Sequence, residues 1–316
     1  MKIQLPQINW RALRNPMLVK ELRSRTRTWH FPALLTGYLA LLAGVGLVYY
    51  YLWVRNAGYG SFGPRVGLDI FMLLAIFQLI LINFVTPALT SNVINGERER
   101  QTFDLLLSTP LPPAAIVLGK LFSSVSYILL LILASLPLYS IIFFFGGISL
   151  HQFFILVCFY LVNAIAVGAM GVFFSALVRK TQLSTVLTYG AVLFLNLGTV
   201  AIAILQRISN DWEGAVLLFH TPLMVAINPV YAMLSVLAGT SGAIQVPLVG
   251  QIRQPIPAGL SHLVTPAWQT TLLVYGVLTV ACLTITILLV DPIDPVDRLL
   301  KRRRAKGEEQ NVRTAV

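Results

Sequence analysis

Six stretches of the chain are apolar from end to end, with a single acid, Asp69, among them: residues 31–54, 68–91, 121–145, 153–178, 183–205 and 268–290. Each matches or exceeds the ~20 residues that a helix needs to cross a bilayer. A spanning helix pairs all its backbone groups internally, as hydrocarbon requires, and these runs are too long for barrel strands. The pattern predicts an all-α integral membrane protein with six transmembrane helices. The first run exceeds the ~7–15 residue apolar core of a signal peptide and lacks a small-residue cleavage site. It is therefore expected to stay as an anchor, giving a basic arm over residues 1–30, one six-span domain over 31–290 and a basic tail over 291–316.

Between the fifth and sixth runs lies the segment 206–267, expected to be external. Its stretch 214–237 is largely apolar, but Thr221-Pro222 and Asn228-Pro229 interrupt it. A broken, re-entrant helical hairpin fits, since such backbone is tolerated where protein or water surrounds it. Residues 239–267 are rich in Gly, Pro, Ser and Thr and read as a loop. Near the start, Asn15 can cap a helix that opens at Pro16. At helical spacing Leu18, Val19, Leu22, Thr26 and Trp29 share one face, and Lys20, Arg23 and Arg27 gather on the other. This predicts an interfacial helix whose basic face meets lipid phosphates; a solvated basic arm is the alternative.

Composition agrees with the pattern. With 57% hydrophobic and 11% charged residues, the chain is neither a water-soluble domain nor a disordered one. Its net charge of +11 would suit nucleic acid, but the cations are distributed by topology. The arm 1–30 and the tail carry seven Lys or Arg each, and Arg98, Arg100, Lys120, Arg179 and Lys180 fall in the same-side connections. Only Arg55, Arg65, Arg207 and Arg253 fall on the other side. Cytoplasmic loops hold the excess of Lys and Arg, so both termini are expected in the cytoplasm, and no nucleic acid partner is implied.

The chain has no G-x-x-x-x-G-K-[ST] phosphate loop: Gly119-Lys120 is followed by Leu121 and preceded, five residues before Gly119, by Ala114. His30, His151, His220 and His262 are scattered, without metal-ligand spacing, and no span offers a base beside a nucleophile. No catalytic or metal site and no cofactor are expected in this chain. Cys158 and Cys282 read as small packing residues within spans. Gln78, Asn83, Asn163 and Asn196 are the candidate polar residues of a pathway or of helix packing. Pairs of small residues four apart, Ala40/Gly44, Ala164/Gly168 and Gly171/Ser175, permit close helix approach.

The connection between the second and third runs is the most informative. Gly96 can end the second span and Pro110 must end whatever helix precedes it, which leaves one short amphipathic helix between them. Pro113 can then open a helix whose early face includes Ile116, Leu118 and Lys120. Such a projecting helix is either a lever that passes a partner's motion to the spans or a plain surface turn. Mixed charges at Glu97, Arg98, Glu99 and Arg100 can set register against a partner, with Phe103, Leu106 and Leu107 as apolar anchors.

Residues 96–110, GERERQTFDLLLSTP, followed by Leu118-Gly119-Lys120, resemble the cytoplasmic coupling segment of the exporter-type (type-2) ABC transporter permease family. Asn15-Pro16 with Lys20-Glu21-Leu22-Arg23 is similar to that family's first helix, and Asn228-Pro229-Val230-Tyr231 to an external element before its last span. The chain departs from the pattern at Gln101, where relatives commonly place Gly. The resemblance implies a permease subunit of the plasma or inner membrane that pairs with a second permease, as homodimer or heterodimer. It also implies cytoplasmic nucleotide-binding ATPase subunits that carry the ATP and Mg. Glu97, Arg98, Glu99, Arg100, Thr102, Phe103, Asp104, Leu106, Leu107 and Pro110 would then couple to the ATPase. A membrane scaffold or assembly protein, and an ion-coupled secondary transporter, are the alternatives. The topology is tested by cysteine labelling after replacement of Cys158 and Cys282: a Gly242→Cys probe should react with an impermeant reagent from outside. Reaction only from inside overturns it.

Overall fold

The computed structural model describes residues 30–57, 64–103, 113–143, 148–199, 201, 228–238, 243–246, 250–253 and 267–290. The interfacial helix expected over 15–29, with Leu18, Leu22, Arg23, Arg27 and Trp29, lies outside the described residues, as do the basic tail and the expected hairpin up to residue 227.

The apolar runs form helices: α1 (His30–Ala57), α2 (Pro64–Thr90), α4 (Pro113–Phe143), α5 (Leu150–Leu177), α6 (Thr181–Leu193) and α8 (Ala267–Val290). A five-residue helix, α3 (Asn95–Glu99), follows α2, and α7 (Pro229–Ala238) precedes α8. Local chemistry sets several starts. Proline stands first in α2, α4 and α7, where its missing N–H costs nothing. Ser149 opens α5 with a capping box: its hydroxyl accepts from Gln152 N at 3.2 Å, and its own N–H donates to Gln152 Oε1 at 3.1 Å. Asn228 caps α7 by accepting from Val230 N at 2.8 Å and Tyr231 N at 3.1 Å.

Among the described residues, five stretches are long and apolar enough to cross a membrane, formed by α1, α2 with its continuation, α4, α5 and α8. Within the expected fifth run, α6 passes at Phe194–Gly198 into a π-helical turn, after which Thr199 and Ala201 are again helical, and residues 202–205 lie outside the described residues. The region expected as a loop after residue 239 contains a two-stranded antiparallel ribbon, β1 (Ala243–Val246) with β2 (Gly250–Arg253), registered Ala243 to Arg253. Ile244, Val246 and Ile252 favour extended backbone, so this ribbon is a small departure from the all-α expectation.

Helix α2 is central and touches α1, α4, α5, α6 and α7, whereas α8 packs chiefly on α5. Phe71, Leu79 and Ile82 of α2, Ile128, Leu131 and Ile132 of α4, and Leu156, Phe159 and Tyr160 of α5 form a fully buried core. Helix α7 is inserted in this bundle, with Ala232 and Met233 fully buried and the Tyr160 hydroxyl donating to Ala75 O at 2.8 Å beside Met233 Sδ. The outward faces carry Leu47, Tyr51, Phe84, Phe122, Ile141, Phe194, Leu273 and Leu288, as expected where acyl chains rather than water surround them. Both cysteines are free; Cys282 is buried, but Cys158 lies on an exposed face and is not the packing residue expected.

At one end of the bundle the ends of five helices meet. Ile94, Val117, Leu121, Val172, Ala176 and Val290 form one apolar cluster, and the Ser91 and Thr185 hydroxyls lie 2.8 Å apart. Here the second run, expected over 68–91, ends within one residue of that bound. Helix α2 stops at Thr90, and Gly96 falls inside α3 rather than terminating the span. Gly171 is required at this junction: a Cβ there would strike the Thr90 hydroxyl and come within 2.8 Å of Thr90 Cβ. Gly190, with nothing within 4 Å of a Cβ, is the control. Gly171→Ala should lower stability in detergent by about 1–3 kcal/mol through overpacking, while Gly190→Ala should be neutral or stabilising. Equal unfolding temperatures for the two variants would mean that the close approach does not hold the bundle together.

Candidate functional site

After Thr90 the helical ladder opens, and neighbouring helices take up the released backbone groups. Ser175 Oγ on α5 accepts from Ile94 N at 3.0 Å and Asn95 N at 3.1 Å. Ser184 on α6 donates to Ser91 O at 2.8 Å. From α4, Lys120 Nζ donates to Val93 O at 2.8 Å and Ser124 Oγ to Leu89 O at 3.4 Å. This explains the end of α2, because the donors that would continue it are bonded sideways.

Helix α3 is fastened by its charges. Lys120, fully buried in α4, forms a 2.6 Å ion pair with Glu97, and so is not the loop cation its sequence position suggested. The expected shared face of Ile116, Leu118 and Lys120 also fails, because Ile116 and Lys120 are buried while Leu118 is exposed. Arg98 Nη1 donates to Ala176 O at 3.0 Å near the end of α5, and its guanidinium lies 5.0 Å from the centre of the Phe103 ring. Glu99 Oε1 accepts from Thr181 N at 3.1 Å, supplying the N-terminus of α6 with an acceptor. Three of the four charges expected to face a partner are thus engaged within the chain.

Of the single amphipathic helix expected between Gly96 and Pro110, the described residues hold a five-residue helix closed by a turn, with Phe103 helical again and residues 104–110 outside them. Gln101 has φ 58°, in the left-handed region that favours glycine, at the position where the family places Gly. Thr102 N then donates to Glu97 O at 3.0 Å, and Phe103 packs against the apolar cluster at this end of the bundle. Arg100, Gln101 and Thr102 remain exposed. Asp104, Leu106, Leu107 and Pro110 lie outside the described residues.

The four candidate polar residues of the spans are all bonded between helices. Gln78 Nε2 donates to Ser135 Oγ at 2.9 Å. Asn163 Nδ2 donates to Asn83 Oδ1 at 2.8 Å, and Asn83 Nδ2 to Asn196 Oδ1 at 3.3 Å. The chain continues at Asn228, whose Nδ2 donates to Asn196 O and Thr199 Oγ1, each at 2.7 Å. Sequence reasoning missed Ser184, the hydrogen bonds made by Ser175 and Asn228, and the burial of Lys120. The Asn-Pro pair was a cap signal for Asn228, and a helix opening at Pro113 places Lys120 two turns inside it. No sequence signal marks which serines face a broken ladder. Among the described residues, no group of three or more His, Cys, Asp or Glu comes together to hold a metal ion.

The model of the ABC-2 family transporter protein matches residues 18–290, most of the chain. The chain belongs to this family. It is therefore a multi-pass membrane protein of the ABC transporter permease type, a membrane component of transport. No relative among curated proteins matches it. In this ABC-2 transporter the segment resembling the family's coupling element is the one bonded to α4, α5 and α6.

Removing one partner of a buried ion pair costs about 3–5 kcal/mol, because the remaining charge is stranded. Lys120→Met should therefore destabilise the protein strongly in thermal unfolding, and Lys120→Arg much less. The exchange Lys120→Glu with Glu97→Lys should recover only part of the loss, since a carboxylate at 120 cannot donate to Val93 O. Full recovery would show that the Val93 contact contributes nothing.

Proposed function

We propose that this chain is the membrane-spanning permease subunit of an ATP-driven exporter, coupled at its inner end to a separate cytoplasmic ATPase subunit. The observation that carries the reading is the fastening of α3, which bonds to α4 through Lys120, to α5 through Ser175 and Ala176, and to α6 through Thr181. A force applied to α3 reaches three helices, through buried contacts to α4 and α5 and an exposed one to α6, so the segment behaves as a lever rather than a loose linker. The ATPase docks on the exposed edge formed by Arg100, Gln101 and Thr102, with Leu106 and Leu107 as further apolar contacts.

Six crossings with both termini cytoplasmic accord with the helix directions. Helix α6 starts beside the cluster and α8 ends in it, which supports the reading that the chain between them turns on the external side. ATP and Mg belong to the ATPase, and a second permease, identical or different, completes the pathway in the plasma or inner membrane. The asparagine chain from Asn163 to Asn228 joins α2, α5, α6 and α7 and serves helix packing.

The test is co-purification and reconstitution. An ATPase subunit should remain bound to the chain, and its hydrolysis should change on reconstitution. Arg100→Glu should weaken that binding by about 1–3 kcal/mol if Arg100 is a contact anchor, with membrane insertion unchanged. A chain that purifies alone and transports on a pH gradient overturns the proposal in favour of an ion-coupled carrier.

A further inference from the structure

Four cations gather where α3 meets the connection between α5 and α6. Arg98 reaches Ala176 O, and Glu99 reaches Thr181 N, so residues 98–100 run alongside 176–181. This places Arg98 and Arg100 beside Arg179 and Lys180, and all but Arg98 are exposed. Of the acids among the described residues, Glu97 pairs with Lys120, and the exposed Glu99 accepts from the Thr181 N–H through one oxygen.

Arg98 is the unusual member. It is half-buried, its contacts are a carbonyl oxygen and the face of Phe103, and the charge acting on it is the like charge of Arg179. Among the described residues no carboxylate forms an ion pair with either guanidinium. An anion between the half-buried Arg98 and the exposed Arg179 would offset the repulsion between them, and their planar forks match phosphate oxygens. The depth of the site identifies the source. Leu177, the last residue of α5, is apolar and exposed, and Arg179 follows two residues later. On a spanning helix that is the level at which acyl chains give way to headgroups.

We propose that Arg98 and Arg179 bind the phosphate of an anionic phospholipid headgroup at the inner face, with Arg100 and Lys180 adding long-range attraction. A lipid there would seat against the inner ends of α3, α5 and α6, beside the fastening of α3. The proposal goes beyond the coupling assignment, and its test requires no ATPase.

The full-length chain in neutral detergent is titrated with phosphatidylglycerol or phosphatidylcholine, and lipid binding is read by native mass spectrometry and thermal unfolding. Phosphatidylglycerol should bind and stabilise the parent in preference to phosphatidylcholine. Arg179→Gln should reduce the apparent affinity about fivefold, the contribution of one cation near a membrane surface. Arg55→Gln, at the far end of α1, should leave it unchanged. Arg98→Gln with Arg179→Gln should reduce binding further. Should Arg98→Gln fail to fold through loss of the Ala176 contact, Arg179→Gln decides alone, because the Arg179 side chain makes no hydrogen bond to the described residues. Inorganic phosphate is the remaining probe. Failure of phosphate to compete supports the lipid, whereas equal stabilisation by phosphate transfers the site to a soluble anion and overturns the lipid assignment. Equal phosphatidylglycerol affinity in parent and Arg179→Gln overturns the site.

Discussion

A backbone N–H or carbonyl released inside a membrane protein has no water to turn to, and each one left unpaired costs several kcal/mol. The break in α2 after Thr90 releases several at once, and this end of the bundle is arranged around that constraint. Ser124 and Lys120 come from α4, Ser175 from α5 and Ser184 from α6, each supplying the partner that the helix no longer provides. An apolar side chain at any of these positions would leave a polar group stranded. The break and the assembly of α4, α5 and α6 around it are therefore one structural event.

Hydrocarbon offers no hydrophobic drive between helices, so proximity and hydrogen bonding decide the packing. Helix α5 supplies both. Gly168 and Gly171 admit Thr90 and Leu121, and that approach lets Ser175, one turn further, reach Ile94 and Asn95. Two turns in the other direction from Gly171, Asn163 bonds Asn83 on the same neighbour, α2. The asparagine chain then passes through Asn196, which lies in the π-helical turn of α6, to the cap residue of α7. Thr199, just beyond that turn, shares the Asn228 amide. Polar contacts thus tie α6 to the bundle and fix the start of the inserted α7, whose Ala232, Met233 and Leu234 pack in the apolar core.

What the sequence revealed and what it concealed divide along the same line. Uncharged runs identified the helices because hydrocarbon leaves few other structures available. Pro113 marked the start of α4, and the absence of glycine at Gln101 marked a turn that the backbone nevertheless makes at φ 58°. The cause of the break after Thr90 was invisible, since nothing local to 91–95 breaks a helix; side chains from three other elements do. Lys120 was misread for a related reason. A lysine near a span end ordinarily reaches toward headgroups, but the opened ladder presents Val93 O and Glu97 within the protein. The coupling charges were legible as important, but their direction was not, because an i-to-i+3 pattern of mixed charge suits an internal groove as well as a partner's.

That inward direction changes what kind of element α3 is. A buried ion pair adds little net stability against an apolar alternative, yet it fixes orientation, since misplacing either charge is costly. Lys120 must satisfy both a carbonyl of the break and a carboxylate of α3, so only one placement of α3 on α4 serves it. Arg98 and Glu99 add a second and third fixed point, on α5 and at the start of α6. Three points define a rigid placement. The left-handed residue at 101 then turns the chain so that Phe103 returns beneath Arg98, leaving Arg100 to Thr102 as the outward edge. An element this short has almost no intrinsic helical stability, because nucleation is too costly. Its rigidity is borrowed from the spans, and for that reason a displacement at its edge must be shared with them.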